Sequence, residues 1–149
     1  MLAYPRLISW HASGVREGEE MQQILLSVFL LLFLQEGHPL TGTWHGDWGP
    51  TPTHRNDVTL VLDWDGKNIT GLINPGPESI KLSKATMEPS SDPKGWKVHF
   101  EADAKDHDGK PVHFVIDGSI ENLTSIRRSI VGTWSHGDMK GDFKLTRDQ

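Results

Sequence analysis

VTLVLDWDGKNITGLI, Val58 to Ile73, is the stretch whose reading decides the fold. Val58, Leu60, Leu62 and Trp64 fall on one face of an extended chain, and Thr59 and Asp63 fall on the other. Successive side chains of a strand point to opposite faces, so this alternation marks a strand with one buried side. Asp-Gly-Lys-Asn, Asp65 to Asn68, supplies turn residues, and Ile69, Gly71 and Ile73 then resume the apolar face. The unit is an antiparallel hairpin.

The same period of two extends in both directions from this hairpin. NPGPE, Asn74 to Glu78, breaks the chain with two prolines and a glycine, and Ile80, Leu82 and Ala85 form a weaker strand before the loop EPSSDPKG. Trp96, Val98, Phe100 and Ala102 alternate, DHDG turns the chain, and Val112, Phe114, Ile116 and Gly118 return alongside. Arg128, Ile130, Gly132 and Trp134 make another set, and Gly141, Phe143 and Leu145 a short last one. No helical window occurs after Pro39. About eight strands with hairpin-length links give an all-β domain, and the meander order favours an antiparallel up-and-down barrel over a sandwich.

Composition narrows the class further. The chain has 149 residues, enough for one core, a net charge of −5 and no cysteine. Disulfides, thiol nucleophiles and CxxC metal knuckles are excluded, while the acidic balance and the lack of a basic stripe argue against a nucleic-acid partner. Ile24 to Leu34 is an unbroken apolar run, too short to span a bilayer and of the length of a signal-peptide core. We expect a signal peptide over residues 21–38, translation starting at Met21, and residues 1–20 as an upstream extension or mis-assigned start. The alternative for the apolar run is a buried or membrane-lying helix. Residues 39–149 would then form one barrel domain, secreted or periplasmic, with no stable membrane anchor after cleavage. Two N-x-T sequons, at Asn68 and Asn122, matter only in a eukaryotic secretory route.

LTGTW at Leu40 to Trp44, NITGLI at Asn68 to Ile73 and the charged last strand resemble the calycins, the group of lipocalins, fatty-acid-binding proteins and avidins. Avidins fit best, over most of residues 40–147. The resemblance implies a closed barrel with Trp44 packed near one end under a cationic side chain of the last strand, Lys144 or Arg147. The avidin biotin site is not implied. Gly46 and Pro50 stand where that family has its Asn and Ser, and Ile73 where it has a Tyr. An apolar lining would leave a ureido group unpaired, at about 1–3 kcal/mol per group.

One repeat remains. GTWHGDW, Gly42 to Trp48, comes back as GTWSHGD, Gly132 to Asp138. Odd strands of a meander end on one rim, so the two His-Gly-Asp segments are expected there together, with the DHDG turn, Asp106 to Gly109, facing the same rim. His45, Asp47, His136 and Asp138, with His54 nearby, are therefore candidate ligands for a divalent metal, the one cofactor considered. The competing reading is strand-to-turn chemistry, and no metal-signature spacing occurs. The DWDG and DHDG turns lack the acids of a calcium loop, because Val61, Ala104 and Val115 occupy ligand positions. On the outer face, closing the DHDG hairpin sets Glu101 or Asp103 opposite His113 and Lys97 or His99 opposite Asp117, read as solvated pairs.

The inner face is rich in aromatics. Trp44, Trp64, Trp96, Phe100, Phe114 and Trp134, with Trp48 in a loop bracketed by Gly and Pro, are the candidate ligand-binding residues, because aromatics fill small barrels and also line their cavities. No nucleophile elbow, phosphate loop or dinucleotide fingerprint appears. The leading expectation is a small, mostly apolar ligand bound in the barrel mouth. The alternatives are a rim-site enzyme or metal protein using His45, Asp47, His136 and Asp138, and a cell-envelope domain with a filled barrel. The balance lies against an enzyme, and the oligomeric state stays open.

Overall fold

The computed structural model describes residues 37–91 and 95–148. The expected upstream extension and nearly all of the expected signal peptide lie outside them. Eight antiparallel strands close into a barrel in sequence order: β1 Gly42–Thr51, β2 His54–Trp64, β3 Ile69–Ile73, β4 Ile80–Pro89, β5 Trp96–Lys105, β6 Pro111–Glu121, β7 Ser129–His136 and β8 Met139–Arg147. β8 returns to pair with β1, Leu145 opposite Gly46 and Phe143 opposite Trp48. Among the described residues there is no helix, so the all-β up-and-down barrel read from alternation is the fold.

The hairpin that opened the reading forms in register, Leu62 opposite Gly71 and Leu60 opposite Ile73. Asp65 closes its turn by accepting the backbone N–H groups of Lys67 and Asn68 at 2.8 and 2.7 Å, and these bonds hold its carboxyl below the usual value. Gly66 takes φ +95°, which glycine adopts at no steric cost.

Two strands run further than alternation suggests. β4 reaches Pro89, because the register shifts between Leu82 and Lys84. The bulge moves the inward set from Ile80 and Leu82 to Ala85 and Met87, from even to odd numbers, which hides the second half from a strict period-two reading. β1 continues through Thr51, so Trp48 is not in a loop but on the inner face of the strand. Gly46 permits this course: a Cβ there would fall 1.8 Å from the Lys144 carbonyl oxygen. Outside the seam, the Arg55 guanidinium bridges the carboxylates of Asp47 and Asp142, joining β2, β1 and β8.

The two ends differ. Strands β2, β4, β6 and β8 finish at one end, which is filled by Leu40, Trp44, Leu62, Val98 and Ile130, each at most 2% exposed. The turn ahead of β1, closed by the Thr41 N–H on the His38 carbonyl, carries Leu40 into that end. Arg128 donates to the Pro39 carbonyl at 3.1 Å. Arg147 pairs with Trp44 across the strands and lays its guanidinium against Gly42, whereas Lys144, between the buried Phe143 and Leu145, faces outward and is exposed. Both sequons sit in turns of this closed end.

Candidate functional site: an apolar cavity at the open end

An eight-stranded barrel is just wide enough to be filled by side chains or to hold one small ligand. Here both occur, in different halves. Toward the end where β1, β3, β5 and β7 finish, a cavity of about 110 Å³ is bounded by Trp48, Phe100, Phe114 and Trp134, and by aliphatic side chains including Val58, Ile73, Ile80 and Leu82. Gly46, opposite Val58 across β1 and β2, offers no side chain to the interior.

The mouth is aromatic. Trp48 meets Trp134 edge-on, with centroids 4.7 Å apart and planes at 71°, and meets Phe114 at 6.1 Å and 77°. Both geometries are favourable for aromatic quadrupoles. His136 stacks parallel to Trp134 at 5.9 Å and lies 4.6 Å from Phe114.

The polar atoms inside the barrel separate its halves. Trp44 Nε1–H donates to the Leu40 carbonyl at 2.8 Å. Trp134 Nε1–H, on a residue only 4% exposed, has no hydrogen-bond partner among the described residues. A buried donor left unpaired costs about 1–3 kcal/mol. Thr41 Oγ1 is the other such buried atom among the described side chains, at the closed end. Asn74, at the lip of the cavity, accepts the Thr59 N–H with its Oδ1 at 3.0 Å.

Of the aromatic residues picked from sequence, Trp48, Phe100, Phe114 and Trp134 bound the cavity. Trp44 is sealed in the closed end, Trp64 stacks on His38 at 4.7 Å, and Trp96 packs against the core where β5 begins, so these three are structural in position. Sequence reading missed Val58, Ile73, Ile80 and Phe143. A usable signal existed for two of them: Ile73 ends β3 and Ile80 opens β4, both at the cavity end.

The expected metal cluster does not assemble. His45 points outward, with Nε2 2.8 Å from Asp148 Oδ2 and Nδ1 2.9 Å from Thr59 Oγ1. Asp47 is held by Arg55, Asp138 is exposed in the β7–β8 turn, and the His54 ring lies 3.1 Å from Thr51 Oγ1. His136 lies inside against Trp134. Two physical reasons explain the separation. Ser135 lengthens the second copy by one residue, so its histidine falls on the opposite face. His45 is also early in a long strand: it is level with Thr146 of β8, and His136 with Met139, about 23 Å apart at 3.3 Å per residue. Among the described residues, Asp106, His107 and Asp108 alone bring three ligand atoms within 4.8 Å. Asp106 there accepts the N–H groups of Asp108 and Lys110 and so serves the turn.

On the outer wall the paired residues are Asp103 with His113 and His99 with Asp117, each at 2.7 Å. Glu101 joins them, 2.8 Å from His99 and 3.0 Å from Lys84. The bonds to Glu101 and then Asp117 hold the His99 ring above its ordinary pKa, and those to His99 and Lys84 hold the Glu101 carboxyl below its own. This network ties β4, β5 and β6 together outside the barrel, away from the cavity. Compared with protein-family models, curated proteins and solved structures, the chain matches none.

Proposed function

We propose that this protein is a calycin-like barrel, secreted or periplasmic, that binds a small, mostly apolar molecule in its open end. The observation that carries the reading is the cavity of about 110 Å³ bounded by aromatic and aliphatic side chains, in a barrel whose other half is packed. A dry cavity of about 150 Å³ takes benzene, so this smaller one encloses about five or six non-hydrogen atoms of its occupant. Burial at about 0.8 kcal/mol per methylene puts its dissociation constant near 0.1–1 mM. Larger ligands of the usual 300–1,000 Å³ class would have to protrude between Trp48 and Asn74. The apolar wall, with Ile73 and Gly46 in place of polar groups, does not support biotin.

The test is titration with methylenecyclohexane, a neutral seven-carbon hydrocarbon, followed by the indole N–H resonances of ¹⁵N-tryptophan-labelled protein. Trp48 and Trp134 should shift and Trp44 should stay. Val58→Phe, which grows into the cavity, should remove the shifts while circular dichroism stays all-β. Shifts that persist unchanged in Val58→Phe, or no shifts in the wild type, overturn the reading.

A further inference from the structure

We propose that the outer wall carries a second site, a clamp for a divalent transition metal of the zinc class, made by His99 and Glu101 of β5 and His113 of β6. It is separate from the cavity and independent of what the cavity binds.

Register builds the clamp. His99 and Glu101 stand two apart on β5 and share its outward face, while β6 sets Asp117 opposite His99, Val115 opposite Glu101 and His113 opposite Asp103. Val115 gives Glu101 no polar partner straight across, so its carboxylate meets the two histidines instead. Nε2 of His99 lies 2.8 Å from Oε1, and Nε2 of His113, on the diagonal, lies 3.6 Å from Oε2. The other ring nitrogens are held elsewhere: Nδ1 of His99 is 2.7 Å from Asp117, and Nδ1 of His113 is 2.7 Å from Asp103. Each imidazole is thus tied through Nδ1 to a carboxylate of its own and turns Nε2 to a shared third one. Metal-binding histidines are arranged in this way, the outer carboxylate fixing the tautomer and the ring plane.

Charge and access agree with a cation. The three carboxylates against the Lys84 ammonium, 3.0 Å from Glu101 Oε1, leave a charge of −2 when both rings are neutral, which one divalent ion balances. Two imidazoles and a carboxylate suit zinc, with water in the open position. The side chains of His99, Glu101 and His113 are 28%, 26% and 49% exposed, so an ion reaches them from solvent. The rings hold different oxygens of Glu101, and the three donors do not lie within 4.8 Å of one another. An ion takes the place of the Nε2 protons and draws the rings together by side-chain rotation, with both strands unmoved.

Calorimetric titration of the chelator-treated full chain with zinc at neutral pH tests this. The wild type should bind the ion. His99→Gln and His113→Gln should each weaken binding at least about 100-fold, because losing even the partner behind a ligand costs about 10–100-fold. His107→Gln, which breaks the group of Asp106, His107 and Asp108 in the DHDG turn, should leave binding unchanged. If a variant does not fold, long-range ¹H–¹⁵N spectra of the wild-type histidine rings decide: zinc should move Nε2 of His99 and His113 and leave His45 and His107 in place. No binding by the wild type, a loss below tenfold in either variant, or ring shifts at His107 instead overturns the clamp and leaves the cavity reading as it stands.

Discussion

The barrel holds two tryptophans preceded by the same Gly-Thr, and the sheet uses them in opposite ways. Trp44 is 0% exposed at the packed end, its indole bonded to the turn that plugs that end. Trp134 is nearly as buried at the cavity end, yet its indole bonds to no described residue and its ring forms part of an unfilled space. The segments that follow diverge as well. His45-Gly46-Asp47 lies within a ten-residue strand, whereas Gly137-Asp138 is a two-residue turn with Gly137 at φ +53°. A copied motif thus reports a preference for strand and tight packing, and its level along the barrel axis sets its role.

Truncation gives the widest separation between the two. Trp44→Ala should cost about 3–5 kcal/mol in urea unfolding, the usual loss for a large aromatic in a closed core. Trp134→Ala should cost at least about 1 kcal/mol less, because a space beside an existing cavity can admit water or relax. Equal losses would show that the two ends are packed alike. A finer measurement uses phenylalanine. Trp44→Phe strands the buried Leu40 carbonyl and should cost about 1–3 kcal/mol beyond the lost ring volume, while Trp134→Phe breaks no bond and should cost about 1 kcal/mol or less. A reversed order would break the comparison.

The smallest effect belongs to the outer wall, which lies apart from both ends. His99 is raised, so its contribution is fully present below its ordinary value of 6.5 and is lost as the pH rises through the raised value. Glu101 is lowered, so its contribution is present above its ordinary 4.5 and is lost as the pH falls through the lowered value. Unfolding free energy should therefore fall as the pH rises above about 6.5, by at most about 1 kcal/mol, as partly exposed pairs allow. His99→Gln should flatten that slope without altering the Trp134 resonance. A slope unchanged in His99→Gln would assign the pH dependence elsewhere.

The alternation of Val58 to Trp64 and of Trp96 to Ala102 was enough to give strands, inner face and meander order, because a strand with one buried side must repeat every two residues. The pairing of the DHDG hairpin was legible for the same reason, with register selecting Asp103 and His99 from the residues on offer. The second half of β4 was not, since the bulge near Ser83 changes the parity of the inward set. The course of β1 beyond Trp44 was not either, because Gly46, Gly49 and Pro50 read as turn residues, whereas all three lie within the strand and the two glycines serve close approach to its neighbours.

The cavity-bounding aromatics could be proposed from inner-face position, but not sorted from Trp44, Trp64 and Trp96. Alternation tells which side of a strand faces inward and nothing of how far along the axis a residue lies. That distance follows from the stagger of eight strands around a closed sheet, a property of the whole barrel. The sequence by itself determined an all-β closed meander with an aromatic interior. Tertiary structure alone decided that Trp44 meets an acceptor and Trp134 meets none among the described residues, and that His45 and His136 lie on opposite faces at levels about 23 Å apart along β8. The physical reason is that hydrophobic period is local to a strand, while level, cavity and hydrogen-bond partner depend on strands distant in sequence.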